Sequence, residues 1–195
     1  PTVLATPNFL RRIGIVSGHR GPQNDPGAVC PDGLTENSIN YNVASRVVVK
    51  LRELGYTVDL LEEFDSRLQD YAADMLISIH ANDCRDYGGA SGFLVAYSEA
   101  RPQDGLDNRL MECIAQAYGA KTGLDRRFGL TRDMTDYHIF REIAIRTPGV
   151  ILELGFMRDD RAILTEDPEL LVDGVIDGVL CYLNPNSIVP TPSAP

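Results

Sequence analysis

A chain of 195 residues with 44% hydrophobic and 24% charged residues is long enough to build one compact domain with a full core. Its formal net charge of -10 argues against nucleic acid and anionic membranes as partners, because neither attracts an acidic surface. No apolar stretch approaches the roughly 18 residues of a membrane span. The chain opens at Pro1 without Met, so we expect a trimmed protein whose missing signal peptide says nothing about export.

The fold is predicted to begin near Arg12, after a lead-in of residues 1–11 that lacks periodicity. A short apolar run follows and ends in Ser-Gly-His, which predicts a strand that places His19 just beyond its carboxyl end. Residues 20–34 hold three prolines and three glycines, a composition typical of a loop. This loop therefore lies beside His19.

The most clearly patterned helix follows this loop. Thr35 has the chemistry of an N-cap, and Gly55 supplies the stop. Between them, apolar residues recur at helical spacing at Ile39, Val43, Val47, Leu51 and Leu54. The sequence therefore predicts a long amphipathic helix in this region.

The central element of the chain is an apolar run from Met75 that ends in His80, Ala81 and Asn82. A continuous run of this kind is typical of a parallel strand that is covered on both faces. The other predicted elements are strands at 56–61, 92–97 and from Val150, helices at 66–73, 104–118 and from 167 or 168 to 183, and a loop at 122–135. Residues 184–195 hold four prolines and are interpreted as a linker or tail.

Strands that alternate with amphipathic helices predict an α/β domain over residues 12–183, a three-layer sandwich with a mainly parallel central sheet flanked by helices. The chain contains no glycine-rich phosphate loop of the G-x-x-x-x-G-K type. A nucleotide site is therefore disfavoured.

Polar side chains at the ends of three predicted strands suggest a metal site. His19 and His80 end two of these strands, and Glu153 ends the run that starts at Val150. Ligands in open α/β sheets collect beyond the carboxyl ends of the strands. A catalytic zinc ion usually takes three ligands of His and carboxylate type, and Glu36 in the first turn of the long helix completes such a set.

Each of these residues also has a purely structural interpretation. Glu36 is favoured at the positive end of a helix whether or not it binds a metal. His80 is equally consistent with a buried histidine whose hydrogen bonds are satisfied. That reading is weaker for Glu153, because an unpaired carboxylate at the end of an apolar strand is costly to bury.

Four motifs carry a resemblance to a known family. They are Gly18-His19 with Asp25-Pro26-Gly27-Ala28 downstream, Leu34-Thr35-Glu36, Ser78-Ile79-His80-Ala81-Asn82, and Leu152-Glu153-Leu154-Gly155-Phe156. In this order they resemble the zinc-dependent N-acetylmuramoyl-L-alanine amidases, over about residues 12–183. The loop after His19 departs from the family's usual Gly-His-Gly-Gly form and looks longer.

The resemblance implies one Zn²⁺ per chain, held by His19, Glu36 and His80, with Glu153 as the catalytic glutamate. The implied reaction is hydrolysis of the amide between N-acetylmuramic acid and L-alanine of the peptidoglycan stem peptide. It also implies an exported protein, periplasmic or in the extracellular cell wall, and leaves open a wall-targeting or regulatory domain outside this chain. Another zinc peptidase or deacylase, and a non-catalytic cell-wall-binding module, stay open as alternatives. Candidate substrate-binding residues are Arg20, Asn82 and His138.

The four cysteines show no metal-binding spacing, so cysteine ligation is disfavoured. Cys30 and Cys84 each follow a candidate ligand motif on a loop, and a disulfide between them is a hypothesis for an exported protein, beside the alternative of two free thiols. Cys113 and Cys181 fall within predicted helices, where we expect free cysteines packed in the core.

Overall fold

A computed structural model describes residues 6–102 and 104–184 of the chain. In this part the strands are β1 (Arg12–Ser17), β2 (Thr57–Glu62), β3 (Met75–Asn82), β4 (Leu94–Ala96) and β5 (Gly149–Phe156). They form one sheet in the order β2-β1-β3-β5-β4. β4 pairs antiparallel with β5 at one edge, and the other pairs are parallel. The carboxyl ends of four strands therefore meet at one edge of the sheet.

Helices cover both faces of this sheet. They are α1 (Glu36–Glu53), α2 (Leu106–Thr122), α3 (Arg132–Thr135), α4 (Ile139–Glu142), α5 (Arg161–Thr165) and α6 (Pro168–Leu183). The long helices α1, α2 and α6 share one core with the sheet, while α3, α4 and the segment after β2 close a second core on the opposite face. The predicted three-layer α/β fold with a mainly parallel sheet is confirmed. None of the helices in the described part is long and apolar enough to span a membrane.

The long helix forms where the sequence pattern predicts it. The Thr35 side chain accepts a hydrogen bond from the backbone N–H of Ser38 at 3.2 Å, which satisfies one of the free donors at the helix start. Ile39, Val43, Val47 and Leu51 of the predicted apolar row are buried against the sheet, whereas Leu54 is the C-cap residue and is exposed. Gly55, with φ of 86°, follows the last turn. As a result Glu36 is fixed as the first residue of α1, facing the carboxyl edge of the sheet.

Three weaker local predictions need correction. The helix predicted over residues 66–73 is only a 3-10 turn at Ser66–Leu68, and Asp70 soon after it has φ of 55°. The strand predicted at 92–97 is shorter and antiparallel, and the loop predicted at 122–135 ends in the helix α3. Residues 1–5 and 185–195 lie outside the described residues, so the boundaries of the lead-in and the tail stay predictions.

Both pairs of cysteines are bonded. The hypothesis of a Cys30–Cys84 disulfide is confirmed, and this bond ties the loop before α1 to the segment after β3. The expectation of free Cys113 and Cys181 is wrong, because these two residues also form a disulfide, with their Cα atoms 5.6 Å apart. They lie on α2 and α6, which pack against each other. Helix patterns alone do not reveal which two helices become neighbours.

The Cys113–Cys181 bond should stabilise the fold through the 68-residue separation that it spans. We expect Cys113→Ala/Cys181→Ala to lower the free energy of unfolding by about 2–4 kcal/mol, because a crosslink restricts the unfolded chain. Urea unfolding of the wild type and the double variant measures this difference. Thiol counting on denatured, unreduced wild-type protein should give no free thiol, and free thiols located at Cys113 and Cys181 by peptide mapping after alkylation would contradict the bond.

Candidate active site

The fold brings the four predicted site residues to one edge of the sheet. His19 follows β1 by two residues, and His80 lies near the end of β3. Glu153 on β5 pairs directly with His80 across the parallel ladder. Glu36 approaches the same edge from the first turn of α1. Residues that are far apart in sequence thus meet at the carboxyl ends of neighbouring strands.

Three of these side chains form a cluster that could hold a metal ion. Nε2 of His19 lies 3.2 Å from Oε2 of Glu36, and Nδ1 of His80 lies 3.1 Å from Oε1 of the same carboxylate. The potential ligand atoms of the three residues all lie within 4.8 Å of one another. Two imidazole nitrogens and one carboxylate oxygen are a donor set that zinc takes in catalytic sites. The residues present therefore fit this metal.

The ring nitrogen of each histidine that does not face Glu36 also has a partner. Nδ1 of His19 lies 2.8 Å from Oδ2 of Asp25, and Nε2 of His80 lies 3.1 Å from the hydroxyl of Tyr137. Histidines that bind metals usually have their other ring nitrogen fixed in this way, which sets the ring orientation. No local sequence pattern identifies either partner.

The pKa values of the cluster residues depend on their neighbours in the cluster. Burial alone lowers the pKa of His19, but the hydrogen bond and the negative charge of Glu36 outweigh this effect and raise it to about 10. Burial also opposes ionisation of Glu36, whereas its hydrogen bonds with His19 and His80 lower its pKa well below the usual range. Glu36 therefore stays ionised, and a metal ion bound here would have to displace the proton from each histidine, because a ligating imidazole is neutral.

Glu153 differs from Glu36 in its surroundings. Its Oε2 atom is buried and has no hydrogen-bond partner among the described residues. Burial raises the pKa of Glu153 to about 7, with the charge of His80 acting in the opposite direction. A carboxyl group with a pKa near neutrality and a free oxygen beside a potential metal site is suited to accept and return a proton.

Glu63 is a residue of the site that the sequence analysis missed. It accepts a hydrogen bond from the backbone N–H of His19 at 2.6 Å and another from the hydroxyl of Tyr137 at 3.1 Å. His19 has φ of 61°, a left-handed conformation that is uncommon for residues other than glycine, and the bond to Glu63 helps to hold it. Glu63 directly follows β2, so the strand-end signal that marked His80 could have identified it.

A cavity of about 1080 Å³ opens in front of this cluster, and Glu153, His80 and Asn82 contribute to its wall. Asn82 is thus the candidate substrate-binding residue that the structure brings to the cavity. Arg20 lies outside the lining, with its guanidinium 3.6 Å from the centre of the Tyr41 ring. His138 is also outside the lining, where it stacks on Phe64 at 4.7 Å and its Nδ1 lies 2.9 Å from Oε1 of Glu142.

Histidines and glutamates at the edge of a mainly parallel sheet, open to a large cavity, have the make-up of a hydrolase site that could hold a metal ion. Residues 13–180 match the family described as N-acetylmuramoyl-L-alanine amidase, and the chain belongs to this family. It is therefore a cell-wall amidase domain, which cleaves the bond between N-acetylmuramic acid and L-alanine in peptidoglycan. No curated protein sequence matches the chain.

Several solved structures share the fold. The chain is similar to the N-acetylmuramoyl-L-alanine amidase AmiC2 of Nostoc punctiforme, with a TM-score of 0.71 and 21% identity over 89% of this chain and 97% of that chain. The amidase Ami1 from Mycobacterium smegmatis gives a TM-score of 0.74 and 19% identity over 92% of this chain and 100% of that chain. The catalytic domain of CwlV from Bacillus (Paenibacillus) polymyxa var. colistinus gives a TM-score of 0.68 and 22% identity over 90% of this chain and 99% of that chain.

Proposed function

We propose that this amidase is zinc-dependent, that His19, Glu36 and His80 hold one zinc ion, and that Glu153 is the catalytic base. The observation that carries the proposal is the convergence of three ligand atoms within 4.8 Å of one another beside a buried carboxylate oxygen without a partner. An unpaired buried carboxylate is costly, and a site that needs a proton acceptor gives a reason for it.

The chemistry that a bound zinc ion supplies at such a site is Lewis-acid activation of a water molecule and of the amide carbonyl. Glu153 takes the proton from the attacking water on its free oxygen and returns it to the nitrogen of L-alanine as the amide bond breaks. Asp25 and Tyr137 hold the two histidine rings in their orientations through the contacts at 2.8 and 3.1 Å. The chain thus provides a base, an acid and oriented ligands in one cluster.

The substrate is proposed to bind against the wall of this cavity. We propose Asn82 as a contact to the substrate, because it lines the cavity beside His80. Arg20 and His138, the other two candidate substrate-binding residues, have less support, since both side chains have other partners and lie outside this wall.

We also propose that the protein is exported and acts in the periplasm or in the extracellular cell wall, where peptidoglycan is found. Two disulfides support this location, because such bonds persist in oxidising compartments and are rare in the cytosol. A separate wall-targeting or regulatory domain outside this chain is part of the same proposal.

Digestion of purified peptidoglycan tests the proposed function. Mass spectrometry should find free stem peptides that begin with L-alanine, and these products should disappear when a chelator removes the metal and return when zinc is added. Products cleaved within the stem peptide, or deacetylated glycan, would instead indicate another zinc peptidase or deacylase. Binding without any product would indicate a cell-wall-binding module.

A further inference from the structure

The cavity contains one cation whose charge is not neutralised by a neighbour. Three arginines line it: Arg85, Arg126 and Arg127. Arg85 pairs with Asp83 at 3.3 Å, and Arg126 pairs with Glu112 at 3.0 Å. Within residues 6–102 and 104–184, Arg127 has no carboxylate at ion-pair distance. Its charge is therefore available to a ligand in a cavity whose other charged groups are mostly acidic.

The Arg127 side chain is held although it is exposed. Its Nη1 donates a hydrogen bond to the carbonyl of Ser91 at 3.0 Å, and its guanidinium lies 5.6 Å from the centre of the Phe156 ring. One edge of the planar group is thus occupied by the protein. The remaining N–H donors are left for a partner, and a carboxylate matches their geometry.

The backbone around Arg127 is fixed as well. Its N–H donates to the carbonyl of Phe93 at 2.8 Å, and the N–H of Phe93 donates to the carbonyl of Asp125 at 3.0 Å. Gly92 permits this close approach, because a Cβ atom there would lie 2.4 Å from the carbonyl oxygen of Asp125 and 3.1 Å from Cγ of Arg127. The glycine also has φ of 114°, which a larger residue would adopt only under strain.

Asp160 connects this loop to the strand that carries the proposed base. Its buried carboxylate accepts hydrogen bonds from the Ser91 hydroxyl at 2.5 Å, the Gly92 N–H at 3.0 Å and the Phe156 N–H at 2.8 Å. Phe156 lies three residues beyond Glu153 on β5, which is about 10 Å along a strand. The Arg127 loop is therefore tied to the strand that carries Glu153.

We propose that Arg127 binds a carboxylate of the stem peptide and so determines which peptidoglycans the enzyme prefers. This inference rests on the proposed function. An extended chain spans about 3.5 Å per residue, so a carboxylate two or three residues beyond the cleaved bond lies about 7–10 Å from it, which is comparable to the span from Glu153 to Phe156. Stem peptides offer two such groups, the α-carboxylate of D-isoglutamate and the free carboxylate of a diaminopimelic acid residue. Both have the chemistry that an arginine fork recognises.

The test compares Arg127→Gln with the wild type on three polymeric peptidoglycans. One contains D-isoglutamate and diaminopimelic acid, the second has isoglutamine in place of isoglutamate, and the third has lysine in place of diaminopimelic acid. The measured quantity is the rate at which new amino-terminal alanine forms. Taking the ratio of variant to wild type on each substrate removes differences in crosslinking. Arg126→Gln is the matched control, because its guanidinium already has Glu112 as a partner.

We expect Arg127→Gln to slow cleavage about tenfold or more only where the recognised carboxylate is present. The substrate on which the loss disappears identifies the group, isoglutamate or diaminopimelic acid. Arg127→Lys should restore part of the preference, and Arg126→Gln should change all three rates by the same factor. Equal ratios for Arg127→Gln on the three substrates, or the same substrate pattern for Arg126→Gln, would overturn the assignment. A wild-type enzyme that releases no alanine termini from any of them would refute the proposed function instead.

Discussion

Glu153→Gln is expected to keep its fold and its zinc but to lose about 10²- to 10⁴-fold in turnover on peptidoglycan. Glutamine preserves the size and polarity of the side chain but cannot accept a proton from water. The ligand atoms of the metal cluster come from other residues, so this substitution leaves them in place. The pKa of Glu153, which burial raises to about 7, is the property that glutamine removes.

Zinc analysis, thermal unfolding and the rate of product formation have to be measured on the same preparation. Glu166→Gln, at an exposed carboxylate after α5, is a matched control that should behave like the wild type in all three. Full turnover by Glu153→Gln would remove Glu153 from the mechanism. Loss of activity together with loss of zinc would make it a fourth ligand or a structural carboxylate.

The sequence predicted those parts of the fold whose local pattern and tertiary role agree. Helix α1 is predicted by local signals alone, which are the capping residue Thr35, a row of apolar residues and Gly55. The apolar run of β3 likewise predicts a strand buried on both faces. Because strand ends in a parallel sheet converge, His19, His80 and Glu153 could be placed together from their positions alone.

Features that depend on which elements become neighbours could not be predicted in this way. Tyr137 contacts His80 from an irregular segment 57 residues away, and no local sequence pattern predicts that contact. The Cys113–Cys181 bond depends on the packing of α2 against α6. The direction of β4 is set by its pairing with β5 at the sheet edge, where a three-residue strand carries little pattern of its own.

The second large effect is expected for His80→Ala, a substitution in the metal cluster that should remove both zinc and activity. This substitution removes one of three proposed ligands and leaves Glu36 and Tyr137 without their contacts at 3.1 Å to the ring. We expect no zinc in the purified variant and activity near that of the metal-free wild type, with Glu36→Ala also lowering occupancy.

Stability gives a readout that does not depend on activity. Zinc binds the folded protein through a site that the unfolded chain lacks, so it should stabilise the wild type by about 4 kcal/mol when free zinc is 1,000 times the Kd. The same addition should leave the unfolding temperature of His80→Ala unchanged. His138→Ala is the control within the three histidines of the chain, because His138 lies outside the cluster and its loss should leave one zinc per chain. If His80→Ala instead keeps one zinc and responds to zinc as the wild type does, the ligand assignment is wrong.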